Sequence, residues 1–167
     1  MANAHETKFR RWTTFTPPQR PAHAAHCGLV LHRRAYVHDC GRPMNPGMVK
    51  NQINGGILQS ISYTLFENRL LDPAYGLMVN PNLETYKITG SRETPEIEVQ
   101  LVEAYIGQSS TDASGIGEAA GIVSVGAAIG NAVYNATGVR IRQTPMTPAV
   151  VLAALNQPGV KEGRLLA

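Results

Sequence analysis

The chain has 167 residues, of which 43% are hydrophobic and 16% are charged. That balance fits a soluble globular protein with one hydrophobic core. Its two cysteines are too few for the disulfide framework of a small secreted domain, and they exclude that class.

The net charge of +3 is concentrated at the N-terminus. Residues 1–38 hold six Lys or Arg against one acid, whereas the remaining residues hold nine against eleven. All five histidines also lie in this region. We therefore predict a basic, poorly ordered leader over residues 1–28 and a folded portion over residues 29–167. A nucleic-acid-binding arm is disfavoured, because no aromatic-basic alternation or nucleic-acid module accompanies the charge.

The N-terminal region offers two further signals. Arg10 and Arg11 form the pair of a twin-arginine export signal, but the apolar segment that should follow is absent, so we predict no targeting signal. A metal site is the functional alternative for the local cysteines and histidines, but their spacing matches no zinc pattern. Its candidate ligands are His23, His26, Cys27, His38 and Cys40.

The first predicted elements are a strand and a helix. Residues 27–37, CGLVLHRRAYV, form a short apolar stretch that predicts a strand. Asn45 followed by Pro46 predicts a helix N-cap with proline at the first helical position. Over residues 48–66 apolar side chains recur at three- and four-residue steps, as one buried helix face requires.

This helix carries a glycine pair, Gly55 and Gly56. Each glycine costs roughly 1 kcal/mol relative to alanine in a helix interior. We therefore interpret the pair as a point where another backbone or a ligand approaches closely. Turn signals in LLDPAYGLMVNPN, residues 70–82, then predict a hairpin or an extended excursion.

The second half predicts strands and two helices. Residues 95–105 alternate apolar and polar side chains, the period of a half-buried strand. A polar Gly/Ser loop leads to a helix predicted over residues 118–137, which Gly138 ends. A short strand within VRIRQTP and a final helix near Pro148 follow. This order indicates an α+β or α/β domain, and we assign the α+β class, with mixed strands and helices and the small-residue helix buried.

Glu118 is the single carboxylate at the start of the small-residue run SGIGEAAGIVSVGAAIGNAVYNATG. Local chemistry favours a first-turn acid, because the helix dipole and free N–H groups attract negative charge. A catalytic base is the alternative, since the glycines on both sides of Ile116 give a tight turn that could hold a carboxylate over a cavity.

The same run also raises the alternative of a membrane span. Gly126 and Gly130 form a small-xxx-small pair of the kind found between membrane helices. Asn131 and Asn135 lie inside the run, and alanine and glycine contribute little insertion energy. Tight packing inside a larger protein body explains the small residues better.

Three segments, taken in order, carry a family resemblance: HDCGRPMNPGMVKNQINGGILQSISYTLFE, NPNLETYKI and GIGEAAGIVSVGAAIGNAVYNATGVRIRQTP. Together they resemble the C-terminal part of the molybdenum-binding large subunit of the xanthine dehydrogenase and aldehyde oxidase family. The resemblance covers about residues 36–155. It implies that residues 29–167 form a C-terminal portion of a molybdopterin-binding domain.

The resemblance implies roles at two positions. Glu118 matches the catalytic base of the family's G-x-G-E segment, and Gln52 matches the glutamine that lies against the molybdenum-molybdopterin cofactor. The implied reaction is hydroxylation of an aldehyde or N-heterocycle with water as the oxygen source. Tyr86 and Lys87 match another family segment, and we assign them no chemistry.

The resemblance also implies partners. The remainder of the large subunit, an iron-sulfur subunit and an FAD subunit would complete the enzyme, so this chain is expected to be inactive without them. We expect a small-molecule substrate, no nucleic acid, no membrane span and a cytoplasmic location, or a periplasmic one if a partner carries an export signal. The alternative is a non-catalytic truncated or structural domain that retains the fold.

Overall fold

The computed structural model of the chain describes residues 33–102, 110–117 and 122–157. These residues contain two strands and three helices, in an α+β arrangement that confirms the predicted class. In chain order the elements are β1 (Arg33–Asp39), α1 (Pro46–Leu65), β2 (Glu96–Val102), α2 (Ile122–Thr137) and α3 (Pro148–Leu155). The leader predicted over residues 1–28 lies outside the described residues, and so does Glu118.

The two strands pair in parallel, in a register that runs from Arg33 opposite Glu96 to Asp39 opposite Val102. Parallel neighbours need a crossover connection, and α1 with the chain that follows it provides one. The strand predicted over residues 95–105 is confirmed as β2. The first strand continues two residues beyond its predicted end.

Helix α1 begins where the sequence predicts. The Asn45 side-chain oxygen accepts a hydrogen bond from the Met48 N–H at 3.1 Å, and Pro46 occupies the first turn. The helix buries one row of side chains at four-residue spacing, which forms the centre of the core. That row consists of Ile53, Ile57, Ile61 and Leu65.

Helix α2 packs on α1 through its small residues. A side-chain carbon placed on Gly126 would lie 3.1 Å from the Thr64 hydroxyl oxygen, and one on Gly130 would lie 3.3 Å from the Met146 methyl carbon. Tyr63 donates a hydrogen bond to the Ile122 carbonyl oxygen at 2.9 Å. The tight packing inferred from the small residues is therefore present on this face.

The opposite face of α2 is exposed in this chain. Ser124, Ala127, Asn131 and Asn135 lie on it at three- and four-residue steps. Gly138 ends the helix as predicted, with φ of +72° and its N–H bonded to the Tyr134 carbonyl oxygen at 2.7 Å. No helix among the described residues combines the length and the apolarity needed to cross a bilayer.

One local prediction is wrong. The segment at 139–143 is not a strand, because neither described strand pairs with it. The chain instead runs on to Met146, whose N–H bonds the Thr64 carbonyl oxygen at 2.6 Å.

Gly55 is exposed, with no heavy atom within 4 Å of the position that a side-chain carbon would take. None of the described residues therefore approaches Gly55 closely, and the approach of a ligand there stays a prediction.

Residues 68–90 form an excursion that we call the arm. Its first half is a short hairpin, as the turn signals predict. The Asp72 N–H bonds the Leu77 carbonyl oxygen at 2.8 Å, and the Val79 N–H bonds that of Leu70 at 2.9 Å. Gly76, with φ of +66°, forms the turn.

Three contacts tie the second half of the arm to the end of α1. The Ser62 hydroxyl accepts the Thr89 N–H at 3.0 Å. Tyr86 donates to the Glu67 carboxylate at 2.9 Å, and this bond raises the pKa of the phenol. Lys87 lies 5.7 Å from the centre of the Phe66 ring. Tyr86 and Lys87, to which the sequence assigned no chemistry, thus have structural contacts.

Replacing Gly126 by leucine tests the packing of α2 on α1. The new side chain would have to displace the fully buried Thr64, so we expect the free energy of unfolding to fall by about 1–3 kcal/mol. The matched control is Gly55→Leu, which enters open space in a helix and gains helix propensity. Urea denaturation of both variants checks this; equal effects would contradict the packing.

Candidate functional site

A cleft of about 260 Å³ opens between the chain that follows β1, the first two turns of α1 and residues 113–116. Its wall is mostly apolar, with a small number of polar side chains, as is typical of ligand sites. Cys40 and Val49 form its buried floor. Met44 and Met48 are exposed at 81% and 65%, so two flexible thioether side chains lie on the cleft wall facing solvent.

Gln52 lines this cleft from the second turn of α1. Its side chain is exposed, one residue before the buried Ile53. A primary amide offers two donor hydrogens and an acceptor oxygen, so Gln52 can bind a ligand edge that carries both kinds of group. The structure thus places Gln52, which the family resemblance singled out, in a cleft that residues 113–116 from the second half of the chain also line.

Residues 112–114 are held next to the end of β1 by backbone contacts. Gly41 and Ala113 form an isolated antiparallel bridge. The Arg42 N–H bonds the Asp112 carbonyl oxygen at 2.7 Å, and the Ser114 N–H bonds the Cys40 carbonyl oxygen at 2.9 Å. We call these contacts the clip.

The clip depends on two residues in the left-handed region. Gly41 has φ of +63° and Asp112 has φ of +54°. A side-chain carbon on Gly41 would collide with the Asp112 carbonyl oxygen, so only glycine permits this approach. Asp39 supports the turn by accepting the Gly41 N–H at 2.9 Å.

An ion pair also joins the two sides of the clip. The Arg42 guanidinium lies 3.5 Å from the Asp112 carboxylate. The arginine side chain is 56% exposed, so the pair contributes at most about 1 kcal/mol. Arg42 also lines the cleft, so the pair lies at its edge.

The sequence interpretation missed the clip residues. Gly41 lies four residues after the end of a predicted strand, and a glycine near a strand end signals a turn or a close backbone approach. Nothing in the sequence indicated that Asp112 would be its partner, because the two residues are separated by most of the folded chain. A local sequence signal for a turn therefore existed at Gly41, whereas no such signal marked Asp112.

Glu118 lies outside the described residues, and the chain up to Gly117 is described. Ile116, two residues earlier, lines the cleft. The described residues contain no group of three His, Cys, Asp or Glu side chains placed to hold a metal ion. Three of the five candidate ligands of the N-terminal metal site, His23, His26 and Cys27, lie outside that part of the chain, so that alternative is not tested by the structure.

Comparison with known proteins identifies relatives of this chain. Residues 27–95 match the family model of the molybdopterin cofactor-binding domain. The chain is 39% identical over 122 residues to the putative xanthine dehydrogenase molybdenum-binding subunit XdhA of Escherichia coli, covering 73% of this chain and 16% of that subunit. It is 34% identical to the aldehyde oxidoreductase molybdenum-binding subunit PaoC of the same organism, covering 75% and 17%.

A solved structure shares the fold. Quinoline 2-oxidoreductase from Pseudomonas putida superposes with a TM-score of 0.67 and 29% identity, covering 77% of this chain and 16% of that one. The chain therefore spans about a sixth of the length of the proteins it matches. The family-model match, residues 27–95, includes the α1 residues that line the cleft, Met48, Val49 and Gln52.

Replacing Gly41 by alanine tests the clip. Alanine with positive φ costs about 1–2 kcal/mol, and the collision with Asp112 adds about 1–3 kcal/mol of overpacking. The control is Gly76→Ala, which also has positive φ but meets open space. We expect urea denaturation to show the larger loss for Gly41→Ala; an equal loss would mean that the approach of Asp112 carries no constraint.

Proposed function

Because this chain belongs to the xanthine dehydrogenase and aldehyde oxidoreductase family of molybdenum-binding subunits, we propose that it is a catalytic piece of a molybdenum hydroxylase. The proposed reaction oxidises aldehydes or N-heterocycles with water as the oxygen source. One observation carries the proposal: a single cleft joins Gln52 to the segment that leads to Glu118. These are the two residues to which the family resemblance assigns roles.

The cleft fits part of the molybdenum-molybdopterin cofactor. A pterin edge presents both donors and acceptors, and the exposed Gln52 amide can pair with either. A volume of about 260 Å³ lies below the roughly 300–1,000 Å³ of a complete ligand pocket. We infer that this chain supplies one wall of the cofactor chamber, and that the remainder of a large subunit supplies the others.

When bound, the cofactor supplies the redox chemistry. The proposed role of this chain is to orient it through Gln52 and to move a proton through Glu118. A Glu118 carboxylate oxygen would accept the proton from the attacking water-derived oxygen, a contribution typically worth about 10²–10⁴ in rate. In the sequence, Glu118 follows two residues after Ile116, which lines the cleft.

Because the chain spans about a sixth of its relatives' length, activity is proposed only for an assembly. The remainder of the large subunit, an iron-sulfur subunit and an FAD subunit are the proposed partners. A cytoplasmic location is proposed with them.

The test uses the complex that co-purifies with the products of neighbouring genes. We expect Glu118→Gln to lower turnover of an aldehyde or purine substrate by about 10²–10⁴ while the molybdenum content stays unchanged. Glu96→Gln, an exposed acid at the start of β2, is the control and should leave both unchanged.

In the same complex, the Gln52→Ala variant distinguishes cofactor binding from the chemical step. We expect it to lower the molybdenum content per complex, because the proposed role of the amide is to bind the cofactor rather than the substrate. Gln59→Ala, at an exposed glutamine further along α1, is its control. Near-full turnover of Glu118→Gln with normal metal content would refute the base assignment. If the chain binds no cofactor and both residues tolerate substitution, it is instead a non-catalytic domain that retains the fold.

A further inference from the structure

A second concave surface lies between residues 139–143 and α3, and it shares no residue with the cleft that Gln52 lines. We call it the α3 groove. Its volume of about 480 Å³ lies within the roughly 300–1,000 Å³ of small-molecule sites. One side of the groove is basic and includes Arg140 and Arg142, whereas one face of α3 forms an apolar side. Such a division is typical of a site for a ligand that has a charged group and an apolar body.

Contacts with α2 hold Arg140 in place on the basic side. Its guanidinium donates a hydrogen bond to the Asn131 side-chain oxygen at 2.8 Å. The same group lies 3.9 Å from the centre of the Tyr134 ring, a cation–π contact. A guanidinium has five N–H donors, so the bond to Asn131 leaves others for a ligand. Because this side chain is already ordered, a ligand would bind it at a lower entropy cost.

Arg142 adds a second positive charge on the same segment. The intervening Ile141 packs against the hydrophobic core, whereas both arginines are exposed. Cα atoms two residues apart are separated by at most about 7 Å, so the two long side chains can reach one anionic group. Among the described residues none forms an ion pair with Arg142. Its guanidinium is therefore available to a ligand.

The groove carries no negative charge of its own. Its lining contains no Asp or Glu, and the sequence of residues 122–157 contains none either. Arginine binds a carboxylate through two parallel hydrogen bonds. Two guanidiniums suit one such group, whereas a nucleic-acid surface makes many more phosphate contacts. The charge of the groove therefore indicates a small anion.

The apolar side of the groove consists mainly of small side chains. Ala149, Ala153 and Ala154 line it, and none of the residues of α3 is buried. Alanine methyl groups leave a low floor over which a flat ring or a short hydrocarbon chain can lie. Removal of this apolar surface from water favours binding of such a body. An inorganic anion has no apolar body and gains nothing from this floor.

We propose that the α3 groove binds a small carboxylate with an apolar body, such as an aromatic or a short aliphatic acid. The carboxylate oxygens accept hydrogen bonds from Arg140 and Arg142, and the apolar body lies on the alanines of α3. This site requires no cofactor, so it goes beyond the proposed function and does not depend on it.

The test titrates benzoate into the full chain and follows binding by saturation-transfer NMR of the ligand. Two further ligands separate the contributions to affinity. Benzyl alcohol keeps the ring without the charge, and acetate keeps the charge without the ring. We expect saturable binding of benzoate, and we expect each of the other two ligands to bind about tenfold more weakly or worse, because each loses one of the two kinds of contact.

Variants of the basic side locate the site. Arg142→Gln removes one positive charge, and we expect it to weaken benzoate binding about tenfold. The matched control is Arg92→Gln, at an exposed arginine that precedes β2. It should change the dissociation constant less than about threefold, because an exposed charge away from the groove contributes little.

A second pair of variants tests the apolar side. Ala153→Leu fills the floor of the groove, and we expect it to weaken benzoate binding by about tenfold or more, because the added side chain occupies the space of the ligand body. Ala127→Leu makes the same change at an exposed alanine of α2 and should leave the affinity unchanged. Both alanines are exposed, so both variants should unfold at the temperature of the wild type.

Benzoate binding that both groove variants weaken and both controls keep would confirm the proposal. Absence of saturation at about 10 mM benzoate, equal affinity for benzyl alcohol or acetate, or equal effects of groove and control variants would overturn it. The assay needs neither molybdenum nor turnover, so a negative result would leave the proposed function standing. Loss of the base assignment at Glu118 would in turn leave the α3 groove unaffected.

Discussion

The last turn of α1 holds the described structure together. A helix C-terminus leaves its final carbonyl groups without partners inside the helix, and here the chain after α2 satisfies one of them. The Thr64 carbonyl oxygen accepts the Met146 N–H. The Ser62 carbonyl oxygen accepts the N–H groups of Phe66 and Glu67, the two residues that directly follow the helix. The Ser62 hydroxyl adds the end of the arm. The arm and the chain after α2 therefore meet at one helix end.

The two ends of α1 have different roles: the N-terminal end lines the cleft, and the C-terminal end holds the arm. Gln52 lies in the second turn and Ser62 in the last, so about 15 Å along the helix axis separate the cleft from the attachment of the arm. The row of buried isoleucines between them keeps this spacing rigid, because close-packed cores transmit displacement with little loss.

The features that could be predicted from the sequence alone are those that depend on local interactions. The Asn45 cap, the four-residue row of α1, the alternation in β2 and the Gly138 terminus all depend on neighbours within one or two turns, and the structure has each of them. The segment after Gly138 alternates like a strand, but neither strand of the described residues pairs with it, so the sequence pattern led to a wrong prediction. The contact of Gly41 with Asp112 joins distant parts of the chain and left no recognisable pattern. Gln52 was identified through family resemblance; its exposure alone would not have singled it out.

The Cys40 thiol can be used to detect opening of the clip. Its thiol is free and only 2% exposed, on the floor of the cleft, while its carbonyl oxygen accepts the Ser114 N–H that closes the clip. A reagent can reach this sulfur only when the surrounding residues open. In a background where Cys27 is replaced by serine, the labelling rate therefore measures the free energy of that local opening. Occupation of the cleft by a ligand would slow the labelling, so cofactor loading could be followed without any turnover.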